Sequence, residues 1–166
     1  MKTNTRSLLG WLLSSLHDKG FDCVVFGGWA EELLGLQEAW CHSDIDLLLM
    51  AESFDSLDTV TAEATTAFRE IPGKRFSHKR AFLCRDVMCE IILVKETSVG
   101  PVTDFWGYTR FYWHTPLAVE TAIELHGTSV QVTSAQNLAK YRSERSTLRP
   151  DRWRDPASLE PRKACE

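Results

Sequence analysis

The sequence predicts one α/β domain, of the α+β kind, in which a mixed, largely antiparallel sheet is flanked by helices. Three observations predict it. Leu8, Leu9, Leu12, Leu13 and Leu16 fall on one helical stripe. Short apolar runs at 21–26, 44–50 and 87–94 have strand length and are separated by helix-like segments. The runs at 76–84 and 87–94 flank Arg85-Asp86 as an antiparallel pair does. The 166 residues, 43% of them apolar, suffice for one compact domain. That domain is expected over 1–145. Residues 146–166, charged and containing three prolines, are expected to form a partly disordered tail.

The elements follow in order. A first helix is expected from Thr5 to Asp18, with Gly20 just past its end. Lys2 and Arg6 before the leucines resemble a signal peptide, but His17-Asp18-Lys19-Gly20 stands where a small-residue cleavage site would be. A core helix is the better reading, and no apolar run approaches the ~20 residues of a membrane span. Phe21–Phe26 is a buried strand that Gly27-Gly28 breaks. Trp29–Leu34 is a helix ended by Gly35, and 37–43 is a loop. Asp44–Met50 is a strand. Ser53 caps a helix to Phe68. Pro72-Gly73 is a turn. The strand pair 76–84 and 87–94 follows, then an irregular, aromatic-rich 96–116. Short strands at 120–125 and 129–132 surround His126-Gly127-Thr128, and Ser134 caps a last helix through Arg145.

Composition narrows function. The net charge of −4 lacks the basic excess of a general nucleic-acid binder and argues against such a partner. The five cysteines, Cys23, Cys41, Cys84, Cys89 and Cys165, form no C-x-x-C pair and read as reduced thiols of a cytoplasmic protein.

Two aspartates carry the chemistry. Asp44 and Asp46 lie two apart in a strand, so both side chains share one face, while Ile45, Leu47 and Leu49 point to the other. Side by side they repel each other. They are either solvated on an edge strand or gathered around a divalent cation, and D-x-D alone leaves those readings even. Glu90 shifts the balance. A carboxylate inside Val87-Met88-Cys89-Glu90-Ile91-Ile92 must be paired, metal-bound or exposed. If its strand neighbours Asp44–Met50, Glu90 joins the cluster as third ligand or as general base. Asp86 is a rival that reads better as a turn residue. Gly27-Gly28 sits where strand gives way to helix, so backbone N–H groups there can meet phosphate. The pair matches neither G-x-x-x-x-G-K-[ST] nor G-x-G-x-x-G.

Taken together, Phe26-Gly27-Gly28-Trp29-Ala30, then His42-Ser43-Asp44-Ile45-Asp46-Leu47, then Glu90, resemble the polymerase-beta-like nucleotidyltransferase superfamily. Within it the combination is most similar to the aminoglycoside and lincosamide adenylyltransferases of antibiotic resistance. The resemblance covers about residues 20–95. It implies the nucleotidyltransferase fold and transfer of a nucleoside monophosphate, AMP from ATP, to a hydroxyl of a small molecule such as an antibiotic. It implies that Asp44, Asp46 and Glu90 bind two Mg²⁺ ions and form the catalytic cluster. By the same resemblance Gly27, Gly28, His42, Lys140 and Arg142 bind the nucleoside triphosphate. Family members often carry Lys or Arg just before the H-x-D-x-D segment; here Trp40 and Cys41 stand there. Lys79, Arg80 and Arg145 are further cations that could serve, each more simply read as a surface charge. His42 could equally shape its loop, and Trp29 reads best as a core aromatic. The aromatics of 105–113 could line an acceptor pocket or stack bases, and read best as core packing or a homodimer interface. The alternatives are a toxin–antitoxin-type nucleotidyltransferase acting on protein or tRNA, and a non-catalytic binding protein on this fold.

Overall fold

The structure, a computed structural model, describes residues 4–63 and 67–148. Four helices, α1 (Arg6–His17), α2 (Gly27–Leu33), α3 (Asp55–Glu63) and α4 (Ala135–Leu148), pack with a nine-stranded sheet. The strands are β1 (Cys23–Phe26), β2 (Asp44–Met50), β3 (Arg69–Glu70), β4 (Lys79–Cys84), β5 (Val87–Thr97), β6 (Gly100–Phe105), β7 (Thr109–Tyr112), β8 (Ile123–Leu125) and β9 (Thr128–Val132). Their order is β3-β4-β5-β2-β1-β9-β8, and the β6–β7 hairpin continues from the far end of β5. β1 pairs with β9 and β2 with β5 in parallel; the other pairings are antiparallel. This is the mixed, largely antiparallel α+β architecture expected. Of the tail expected at 146–166, all but the end of α4 lies outside the described residues.

Local chemistry sets the ends. The Thr5 hydroxyl accepts from the Leu8 N–H and caps α1, whose Leu8, Leu9, Leu12, Leu13 and Leu16 are all buried. The Ser134 hydroxyl accepts from Asn137 N–H at 3.3 Å and opens α4. On β2, Ile45, Leu47 and Leu49 enter the core as alternation requires. Leu48 is buried as well, although it shares the face of Asp44 and Asp46.

Some boundaries differ from expectation. α2 begins at Gly27, so the glycines open the helix. Ser53 does accept from the Asp55 N–H, but α3 starts at Asp55 and is described only to Glu63. Arg69–Glu70 then pairs with β4, adding a strand between the expected end of the helix at Phe68 and the turn at Pro72-Gly73. Most of the 96–116 segment is regular: β5 runs on to Thr97 and turns through Gly100 into β6 and β7. Val102 and Thr103 are both buried, so the two-residue alternation that marks a strand is lost. Phe105, Phe111 and Trp113 pack with Phe26 and Tyr141 of α4, so these members of the aromatic cluster are core. Tyr108 is 80% exposed, and Tyr112 is exposed too. Among the described residues no helix is long and apolar enough to cross a membrane.

Candidate active site

The site is a row across three strands. Antiparallel pairing sets Phe26 of β1 opposite Asp46 of β2, and parallel pairing sets Asp46 opposite Glu90 of β5. Adjacent strands lie about 4.8 Å apart, so the Asp46 and Glu90 side chains rise together from one face. Asp44 stands two residues before Asp46 on that face and accepts a 3.0 Å bond from the Ser43 hydroxyl. The structure therefore brings Asp44, Asp46 and Glu90 into one neighbourhood, while Asp86 stays at the hairpin turn with φ 65°.

The carboxylates differ in electrostatics. Burial, and then the charges of Asp44 and Glu90, push the Asp46 carboxyl well above the usual carboxylate range, against an opposing pull from Lys79 and Lys74. Glu90 goes the other way. Burial raises it, but ion pairs from the two lysines outweigh burial and hold it below its ordinary value. Lys74 Nζ is 2.8 Å from Glu90 Oε1, and Lys79 Nζ is 2.9 Å from Oε2. Lys79 lies on the same face of β4 as Ala81, the residue opposite Glu90. Alanine leaves the ammonium room to cross.

The glycines answer to packing as well as to phosphate. Gly27 has φ 62°, and a Cβ there would collide with Asp46 Oδ2. A Cβ on Gly28 would lie 2.9 Å from the Trp40 ring and 3.0 Å from His42 Nδ1. Gly27 and Gly28 begin α2, where the first amides have no partner within the helix. His42 is enclosed: its ring stacks on Trp29 at 4.0 Å, lies against Trp40 at 4.3 Å, and its Nε2 is 2.8 Å from Glu32 Oε2. Glu32 also takes Arg6 at 2.8 Å. This surrounds His42 as a residue that shapes the loop. Burial raises the Glu32 carboxyl, but His42 and Arg6 together bring it below the usual value.

The cations of α4 have their own partners. Arg142 pairs with Glu31 of α2. Lys140 pairs with Glu144 at 3.1 Å and lies 4.0 Å above the Phe111 ring. Arg80 binds Asp58 at 2.7 Å and covers the Phe54 ring.

Two features escaped the sequence. Lys79, one of the further candidate cations, reaches Glu90 through the β4–β5 register, and Lys74 reaches it from the turn at Pro72–Lys74; nothing in the local sequence marks either pairing with Glu90. Asn4 donates its amide to the Asp44 carbonyl at 2.8 Å and to the His42 carbonyl at 3.2 Å, and accepts from Trp29 Nε1 at 3.1 Å. It ties the start of β2 to α2, and an isolated Asn carries no signal of that.

Asp44 and Asp46 fit a magnesium ion. They offer hard oxygen donors on one face, and Gly27 leaves open the space that a Cβ would take from Asp46. Magnesium takes few protein carboxylates and fills its other positions with water and phosphate. Glu90 has an ammonium on each oxygen. Among the described residues no three His, Cys, Asp or Glu side chains form a group that could hold a metal ion.

Neither a family model nor any curated protein sequence matches the chain. Solved structures do. ANT(2'')-Ia in complex with adenylyl-2''-tobramycin matches with a TM-score of 0.64 at 17% identity, over 92% of this chain and 82% of that one. The lincosamide antibiotic adenylyltransferase LnuA, lincomycin-bound, matches with a TM-score of 0.64 at 10% identity, over 84% and 87%. An antigenic nucleotidyltransferase-like protein from Paracoccidioides brasiliensis matches with a TM-score of 0.53 at 19% identity, over 88% and 72%. At these identities the likeness shows the fold, which is that of the nucleotidyltransferases.

Proposed function

We propose that this chain is a magnesium-dependent nucleotidyltransferase that moves a nucleoside monophosphate, AMP from ATP, to a hydroxyl of a small molecule of aminoglycoside or lincosamide type. One observation carries the reading: the register that sets Asp46 beside Glu90, with Gly27 held open against Asp46. Three carboxylates on one sheet face cost stability unless cations answer them.

Asp44 and Asp46 hold the ion. When bound, magnesium neutralises the phosphates and draws charge from the phosphorus under attack. The amides of Gly27 and Gly28 receive the triphosphate. Lys140 and Arg142 would add charge on the nucleotide side by exchanging Glu144 and Glu31 for phosphate. The acceptor oxygen forms a bond to the α-phosphorus as the bond to pyrophosphate breaks, and the hydroxyl proton passes to Glu90. A carboxylate with two ion pairs still has lone pairs free to accept that proton. Cys23, Cys41, Cys84 and Cys89 are free thiols, which supports placing the activity in the reducing cytoplasm.

The test is incubation with α-labelled ATP, Mg²⁺ and a panel of aminoglycosides and lincosamides. Label moves to an acceptor and pyrophosphate appears. Absence of transfer to every acceptor, with no ATP-dependent metal binding, would sink the reading.

A further inference from the structure

Glu90 is already neutralised from both sides. Each of its oxygens holds one ammonium, from Lys74 at 2.8 Å and from Lys79 at 2.9 Å. These are distinct positions in the chain. Lys74 comes from the turn at Pro72–Lys74, and Lys79 comes from β4 across Ala81. The Lys79 side chain is 14% exposed and lies 5.7 Å from the centre of the Phe76 ring, so it is built into the site. Two ammonium groups carry the formal charge of one divalent ion. Among the described residues Asp44 and Asp46 receive no such ion pair.

We infer that Lys74 and Lys79 take the place of a second divalent ion at this row, leaving one ion on Asp44 and Asp46. This rests on the nucleotidyltransferase reading and replaces the expectation of two ions. Glu90 is then an ionised proton acceptor beside the metal and outside its ligand set. The lysines supply the positive charge that a second ion would bring to the acceptor side. Being fixed to the protein, they supply it at any metal concentration.

The test counts ions. The full chain, in excess over α,β-methylene-ATP, is titrated with Mn²⁺, and the bound ions are followed by electron paramagnetic resonance. The expected result is one ion per bound nucleotide, with no spin coupling between ions. Glu90→Gln keeps that count at one. Lys74→Met with Lys79→Met frees Glu90 and raises it to two, with coupling, while the paired Lys→Arg variant stays at one. Circular dichroism checks that each variant folds. If the Met pair does not fold, the wild-type and Glu90→Gln counts decide. Two coupled ions in the wild type, or loss of the ion in Glu90→Gln, overturn this inference and leave the nucleotidyltransferase reading standing. No bound ion and no bound nucleotide overturn both.

Discussion

Gly27 serves two ends: a backbone at φ 62° and clearance for Asp46 Oδ2. Alanine there would pay about 1–2 kcal/mol for the left-handed conformation and would displace the carboxylate as well. Gly27→Ala is expected to lower unfolding free energy in urea by at least about 1 kcal/mol and to weaken Mn²⁺ binding more than tenfold. Unchanged Mn²⁺ affinity in the folded variant would show that Asp46 does not need the clearance. Asp46 itself opposes folding when no metal is bound. Burial, Asp44 and Glu90 raise its folded pKa, so the native state keeps the proton to higher pH than the unfolded chain does. Its contribution to stability is lost as pH rises from the ordinary 3.8 toward the folded value. Asp46→Asn should therefore melt higher than wild type at pH 7 in a chelator, by about 2–4 °C for each kcal/mol relieved, yet lose nearly all transfer activity. A lower melting point at pH 7 would refute the electrostatic account.

Whole elements are tied by single polar residues. Asn4 joins α2 to the start of β2 through three hydrogen bonds. Asn4→Ala removes bonds worth about 1 kcal/mol each at most. It should speed amide exchange at 42–46 and weaken Mn²⁺ binding while α4 keeps its protection. Uniform loss of protection would assign Asn4 to global stability alone. Asp58 ties α3 to β4 through Arg80 and to the turn before it through Arg75. Burial raises its carboxyl, but the two guanidiniums outweigh burial and lower it. Its stabilisation is present above the unfolded value of 3.8 and is lost as pH falls from there through the lower folded value. Acid titration of Asp58→Asn should show a shallower fall in stability in that window than wild type does. At this scale the sequence was readable where periodicity survived. The α1 stripe and the alternation on β2 were plain. β6 was hidden because Val102 and Thr103 are both buried, and β3 because two residues set no period.

At the level of the molecule, the carboxylate row is a liability until a cation arrives. Mg²⁺ should raise the melting temperature of the wild type, by a stability gain of about 2.7 kcal/mol at a hundred times its dissociation constant. Asp44→Asn with Asp46→Asn should abolish the rise. An equal rise in that variant would place the ion elsewhere. The fold class was legible because it follows from the order of helices and strands. The convergence of Asp44, Asp46 and Glu90 was only conditional in the sequence, since it needs β2 and β5 to be neighbours in register. The ion pairs on Glu90 were beyond reach, because Lys79 depends on a second register, β4 on β5, and Lys74 on the turn that precedes β4.

The parallel pairing of β1 with β9 has a consequence in time. β1 ends at Phe26, but the strand that covers its outer edge starts at Thr128, and Thr133 closes on the Val25 carbonyl through both its N–H and its hydroxyl. A chain emerging from the ribosome would hold β2 against β1 for roughly eighty residues, from Met50 to Thr128, before that edge is sealed. Until then it presents bare backbone to any neighbouring nascent chain. Fragments cut short before β9 should aggregate through that edge, whatever the state of the carboxylates.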